Sequence, residues 1–189
     1  MPLERLLTVQ TDKQPLPLEC WHPPLSGALD MVVDRHGVWW HEGARVEHLR
    51  VLLTLSRLLR REEDGEYYLV TPVEKWRIRV EDCPLLIVAA DRHVLESGDS
   101  QWVVTTQTGE SAALGADCRL IIDDDSDVPR VSLRHGLSAR LSRPCWYYLV
   151  EQAECFEDGQ GRLHMGLYSG GHWQPLGAPM NADDTQVPS

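Results

Sequence analysis

From position 75 to 80 the chain reads Lys-Trp-Arg-Ile-Arg-Val, basic and apolar in strict alternation. Period two is the signature of a half-buried strand, so Lys75, Arg77 and Arg79 line one face with successive cations roughly 7 Å apart. Cations at that spacing can receive a phosphate or a carboxylate. The plainer reading is a solvated outer face with acids nearby. Just upstream, Thr71-Pro72-Val73-Glu74 places a ladder-breaking proline between a hydroxyl and a carboxylate, and Glu81 and Asp82 follow the strand. Paired carboxylates do acid and base work only with a shifted pKa and a positioned substrate. Pairing of Glu74 with Lys75 or Arg77 is the simpler expectation. Further on, Arg130, Arg134, Arg140 and Arg143 crowd a segment followed by Tyr147 and Tyr148. A stacked base and a paired phosphate are chemically conceivable there, against the plainer role of structural tyrosines.

Established signatures are missing. The sequence contains neither G-x-x-x-x-G-K-[ST] nor G-x-G-x-x-G, and Ser169-Gly170-Gly171-His172 lacks the strand-to-helix context that aims backbone donors at phosphate. Gly109-Glu110-Ser111-Ala112-Ala113 fails the G-x-S-x-G elbow at its last position. Asp123, Asp125 and Asp127 open like an EF-hand loop, but Val128 and Arg134 stand where Gly and Glu are required. No H-x-x-x-H occurs, and Cys145 with Cys155 makes a poor metal pair. No motif calls for a metal or cofactor.

Charge narrows the partners. With 18 Lys and Arg against 29 Asp and Glu, the net charge is −11, which repels polyphosphate and anionic membrane surfaces and argues against a nucleic acid polymer as partner. A small anion needs only a few local cations. Met1 to Cys20 has no signal-peptide pattern, the longest apolar run is Leu85 to Ala90, and five cysteines show no paired framework. These features lead us to expect reduced thiols and a cytoplasmic protein.

The elements that position these groups alternate between two periods. A Pro-rich lead-in covers 1–24. Leu29 to Val33 and Val38 to Trp40 flank a Gly-containing turn, a hairpin signal. From Arg45 to Arg61 leucines recur at three- and four-residue steps, predicting an amphipathic helix whose last-turn arginines complement the dipole. Strands are expected over Leu85 to Ala89, Gln101 to Thr106 and Cys118 to Ile122. A second helix is expected over Val131 to Leu141, ended by Pro144, and a hairpin through Phe156 and Met165. The tail, 178–189, is small and polar. This divides the chain into halves at 25–82 and 83–177.

Tyr-Tyr-Leu-Val occurs at 67 and again at 147, each time after an Arg-bearing amphipathic segment, which points to duplication. Both copies are expected to be core strands with one tyrosine buried and the other on the opposite face. The sequence also resembles the bacterial domain-of-unknown-function family 1285. The likeness rests on Asp34 to Trp39, Gly43, Leu59-Arg60-Arg61, Asp64-Gly65, Tyr68 to Lys75 and Val80 to Pro84. It implies a duplicated α+β fold whose second half looks superficially like a pleckstrin-homology domain, a nucleotide-type ligand between the halves, and a role in signal transduction.

The expected fold is therefore α+β, with antiparallel sheets and one amphipathic helix per half. The leading functional expectation is a non-enzymatic binder of a small anionic, nucleotide-like ligand, with Thr71, Glu74, Lys75, Arg77, Arg134 and Tyr147 as its contacts. The alternative is a protein-interaction module docking through exposed Trp39, Trp40 or Trp173. A hydrolase using Glu74, or Glu81 with Asp82, is the third reading.

Overall fold

The computed structural model of the chain describes residues 2–7, 16–123, 126–177 and 180–181. Asp125, residues 8–15 of the lead-in and the tail other than 180–181 lie outside the described residues. Two compact units emerge. One gathers Met1–Leu86, Gln107–Gly109 and Leu133–Ala139; the other gathers Ile87–Thr106, Glu110–Ser132 and Arg140–Ser189.

The first unit holds α1 (Pro2–Leu7), β1 (Leu25–Val33), β2 (Trp39–His41), β3 (Ala44–Arg45), α2 (Leu49–Leu58), β4 (Leu59–Arg61), β5 (Tyr67–Val70) and β6 (Lys75–Val80). Its strands form one sheet in the order β3-β2-β1-β6-β5-β4. Neighbours are antiparallel except β1 and β6, which run parallel, so the sheet is mixed rather than purely antiparallel. Leu55 and Leu58 of α2 are fully buried with Leu59, Leu69, Val70 and Val33, an apolar set whose removal from water stabilises this unit.

The expected β1–β2 hairpin forms around Asp34. Its carboxylate accepts from the backbone N–H of His36 at 2.8 Å and Val38 at 3.0 Å and from the Trp40 indole at 3.0 Å. Burial raises its pKa, but these donors outweigh that and hold it below the usual range. Neither tryptophan of this hairpin is a free docking group: Trp39 is buried and Trp40 is tied to Asp34.

The predicted helix is shorter than its periodicity. It ends at Leu58, and Leu59–Arg61 turn into β4, which pairs with β5 through Leu59↔Leu69, Arg60↔Tyr68 and Arg61↔Tyr67. The three- and four-residue spacing of leucines runs on because Leu59 faces the same core from a strand. Arg60 and Arg61 therefore pin a hairpin instead of capping a helix.

The second unit draws on β7 (Leu85–Val94), β8 (Ser100–Thr106), β9 (Ser111–Ala113), β10 (Leu120–Asp123), β11 (Ser126–Ser132), β12 (Ser138–Leu141), α3 (Arg143–Glu151), β13 (Glu154–Glu157), β14 (Arg162–Ser169), β15 (His172–Pro175) and β16 (Met180–Asn181). Strands β10-β11-β12-β7-β8-β9 form one sheet and β13-β14-β15 another, with β16 on β14. Buried Ser169 donates to the Leu114 carbonyl at 2.7 Å and accepts from the Trp102 N–H at 2.8 Å, satisfying polar groups that would otherwise be costly.

Here two expectations are corrected. Val131 to Leu141 is not helical: β11 runs to Ser132, His135 and Gly136 turn the chain with φ of 54° and 70°, and β12 follows. The second Tyr-Tyr-Leu-Val lies inside α3, not in a strand, with Pro144 in the first turn. A proline is tolerated there because its missing N–H would have no helical partner. Tyr147 and Tyr148 are both exposed and only Leu149 of this copy is fully buried, so the expected burial of one tyrosine fails in this half.

The β13–β14 turn is organised like the Asp34 turn. Asp158 accepts from the N–H groups of Gln160 at 2.8 Å and Arg162 at 3.0 Å, from Arg162 Nε at 3.0 Å, and lies 2.8 Å from His164 Nε2. Led by the His164 contact, these hold its carboxyl well below the usual carboxylate range. A depressed folded-state pKa means the turn is supported above the unfolded value, about 3.9, and loses that support only as pH falls through the lower folded value. The Gln160 and Arg162 amide resonances are accordingly expected to titrate with a midpoint well below the ordinary carboxylate value of about 3.9. A midpoint near 3.9 would show that the carboxylate is not bonded as described.

Candidate functional site

The parallel pairing of β1 and β6 is interrupted. Ala28 pairs with Arg77, but the next partners are Val32 and Arg79, so Leu29, Asp30 and Met31 stand against Ile78 alone. Small residues permit this departure. Gly27 has φ of 141°, and a Cβ there would lie 3.3 Å from the Trp76 ring, which leans on β1 at that point.

The break opens a cleft of about 430 Å³, lined among others by Ala28 and Leu29 of β1, Glu66 and Tyr67 at the start of β5, and Arg77 and Arg79 of β6. That volume lies in the range of small-molecule sites. Arg77 is exposed, and its guanidinium makes no hydrogen bond or ion pair among the described residues. The Arg79 side chain is 70% exposed, and its Nη2 is 3.7 Å from Glu81 Oε1, a loose surface contact of little energetic weight. Two guanidinium groups thus face one carboxylate, Glu66, in an open cleft.

The third cation of the strand is engaged elsewhere. Lys75 Nζ lies 2.8 Å from Glu62 Oε2 and 4.7 Å from the centroid of the Tyr68 ring. Glu62 also bonds Arg60, whose Nη1 donates to the carbonyls of Leu18 at 2.6 Å and Trp21 at 3.0 Å. Burial raises the Glu62 pKa, yet bonding to Lys75 and Arg60 outweighs it and keeps the carboxyl ionised below its ordinary range. Tyr68 donates to Asp64 at 2.7 Å, and that bond, with burial, pushes its pKa up to about 12. Lys75 therefore belongs to a charge network tying the lead-in to β4, β5 and β6.

The remaining expected contacts are dispersed. Thr71 is buried, its Oγ1 accepting from the Glu74 N–H at 3.1 Å and donating to the Glu74 carbonyl at 3.2 Å, so it shapes the β5–β6 turn. Arg134 Nη2 donates to the Ser56 carbonyl at 3.4 Å in the first unit. Tyr147 sits on α3 of the second unit and is 63% exposed. Glu74, Glu81 and Asp82 are absent from the cleft lining. Among the described residues no three His, Cys, Asp or Glu side chains gather as a metal site. Cys145 is buried and Cys155 exposed; burial pushes the Cys118 and Cys145 thiols up to about 11, leaving them weak nucleophiles at neutral pH. Among the described residues no helix is long and apolar enough to cross a membrane.

Alternation in the sequence placed Arg77 and Arg79 on one strand face, and both line the cleft. The contributions of Ala28, Glu66 and Tyr67 went unread, although Gly27-Ala28 inside a strand is itself the mark of a bulge or close approach.

Two family models cover the chain: "Domain of unknown function (DUF1285), N-terminal domain" matches residues 16–83 and "Protein of unknown function (DUF1285), C-terminal domain" matches residues 84–176. A crystal structure of a DUF1285 family protein from Silicibacter pomeroyi DSS-3 is 32% identical, with a TM-score of 0.79 and 98% of each chain covered. Another, from Shewanella baltica OS155, is 29% identical with a TM-score of 0.53, covering 66% of this chain and 92% of its own. No curated protein matches.

Proposed function

The chain belongs to the DUF1285 family, and we propose from its own chemistry that it binds a small anionic ligand without transforming it, in the cleft beside β6. The observation that carries this reading is Arg77, an exposed guanidinium without a partner among the described residues, on the wall of a cleft of about 430 Å³.

Arg77 offers a planar fork suited to the oxygens of a phosphate or carboxylate, and Arg79 a second cation two residues along the same strand. Glu66 opposes excess negative charge and favours a ligand bearing one or two negative charges over a polyanion. Tyr67 also lines the cleft, but its register opposite Ile78 turns its ring to the other face of the sheet, where Arg61 lies 5.6 Å from its centroid. A nucleotide-like compound satisfies this chemistry, and a sensing role in signal transduction is the use of such a binder that the family resemblance suggested.

The test is thermal unfolding in the presence of inorganic phosphate, pyrophosphate and nucleoside mono- and diphosphates. A ligand at 100 times its Kd adds about 2.7 kcal/mol of stability, so Tm is expected to rise by several degrees for at least one of them. Arg77→Gln is expected to abolish that rise while leaving the unliganded Tm unchanged. If no phosphorylated probe raises Tm, or if the variant responds as the native chain does, the reading fails.

A further inference from the structure

The outer face of the β13-β14-β15 sheet carries aromatic rings that serve no enclosed core. Phe156 and His164 are directly opposed and stacked, with centroids 5.0 Å apart; Phe156 and Trp173 meet edge-on at 4.9 Å, as do Tyr168 and Trp173. Phe156 is 41% exposed and Tyr168 48%. Register places Glu154 on the same face, opposite Gly166 and two residues from Phe156. Glu154 is exposed, and its carboxylate makes no ion pair or hydrogen bond among the described residues. The neighbouring cation Arg162 is neutralised by Asp158.

We propose that this face docks a basic segment of a partner protein, an arginine or lysine side chain lying over the exposed Phe156 and Tyr168 rings with its charge against Glu154. Electron-rich ring faces beside an unpaired carboxylate select a cation in preference to an apolar or acidic group. The chain's own charge of −11 adds long-range attraction for such a segment. Trp173 acts as a buttress: its indole fills the space over Gly166, where a Cβ would lie 2.6 Å from Cζ2, and so holds the two outer rings apart and upright. This surface lies in the second unit, so its fate is independent of the Arg77 cleft.

The probe is an arginine-containing peptide of otherwise uncharged residues, compared with the same peptide carrying citrulline, titrated into the full chain by calorimetry. Saturable binding of the arginine peptide, weakened at least fivefold by citrulline, is expected. Each ring contributes an exposed cation–π contact, so Phe156→Leu and Tyr168→Leu, which retain apolar bulk, are each expected to weaken binding about two- to fivefold. Glu154→Gln is expected to weaken it similarly and flatten its salt dependence. Val94→Ser, on β7, should leave it unchanged. Absence of saturable binding, equal binding of the citrulline peptide, or indifference to both leucine variants would overturn the proposal.

Discussion

Gly166→Ala is expected to lower Tm by roughly 4–12 °C, the consequence of a destabilisation of about 2–3 kcal/mol. The glycine lies on β14 opposite Pro175, with Glu154 on its other side. A Cβ here would press on the backbone carbonyl oxygen of Gln174 and stand 2.6 Å and 2.7 Å from two atoms of the Trp173 indole. The indole can rotate; the carbonyl cannot move without β15. That strand is held in turn, because fully buried Gln174 accepts from the Leu120 N–H at 3.0 Å and donates to the Gly115 carbonyl at 3.1 Å. A shift of β15 would strain both bonds, and buried polar groups left unpaired are costly. A Tm within a degree of the native value would show that β14 and β15 are not packed as described.

Glu62→Gln is expected to cost about 2 kcal/mol at neutral pH. The carboxylate answers two cations, Lys75 and Arg60, whose side chains are only 17% and 12% exposed. Glutamine preserves shape and an acceptor but leaves both cations without a counter-charge, and stranding partly buried charge is the expensive way to break a pair. The pH dependence follows from the lowered pKa of Glu62. A group whose pKa is depressed by folding contributes fully above its unfolded value, about 4.3, and loses that contribution as pH falls through the folded value. Urea unfolding should therefore show a gap between native and variant at pH 7 that narrows below about pH 4. Equal stability at pH 7, or a gap indifferent to acid, would mean that the network does not act as a unit.

What the sequence made legible follows the range of each interaction. The Asp34 hairpin, the strand of Arg77 and the helix around Leu55 rest on neighbours within a few positions, and the structure keeps all three. The parallel pairing of β1 with β6 joins residues about fifty positions apart, and no local period announces it. The cleft arises from an irregularity in that pairing, so its cations were visible while its walls were not. The segment before α3 was misread for a different reason. Val131, Leu133, Leu137 and Leu141 sit at helix-like intervals, but Leu137, Ala139 and Leu141 are buried in alternation, a period of two that a small residue in the middle conceals. Pro144 likewise reads as a stop or as a first-turn residue until the elements on either side are known.

The two Tyr-Tyr-Leu-Val copies show the limit of word matching. In β5, Tyr68, Leu69 and Val70 are buried and Tyr67 lines the cleft; in α3, both tyrosines are exposed. The same four residues suit a strand covered on both faces, which buries Tyr68, Leu69 and Val70 in succession, and the flank of an amphipathic helix, which of this copy buries only Leu149.

The anion site proposed at Arg77 rests on an exposed guanidinium without a partner among the described residues. It is tested most directly by following the arginine Nε–H resonances of the full chain during titration with inorganic phosphate. The account predicts a saturable shift at Arg77, a smaller one at Arg79 and none at Arg60, whose guanidinium is already committed to Glu62 and to two backbone carbonyls. An Arg77 resonance that moves without saturating, or no further than that of exposed Arg92 on β7, would contradict it.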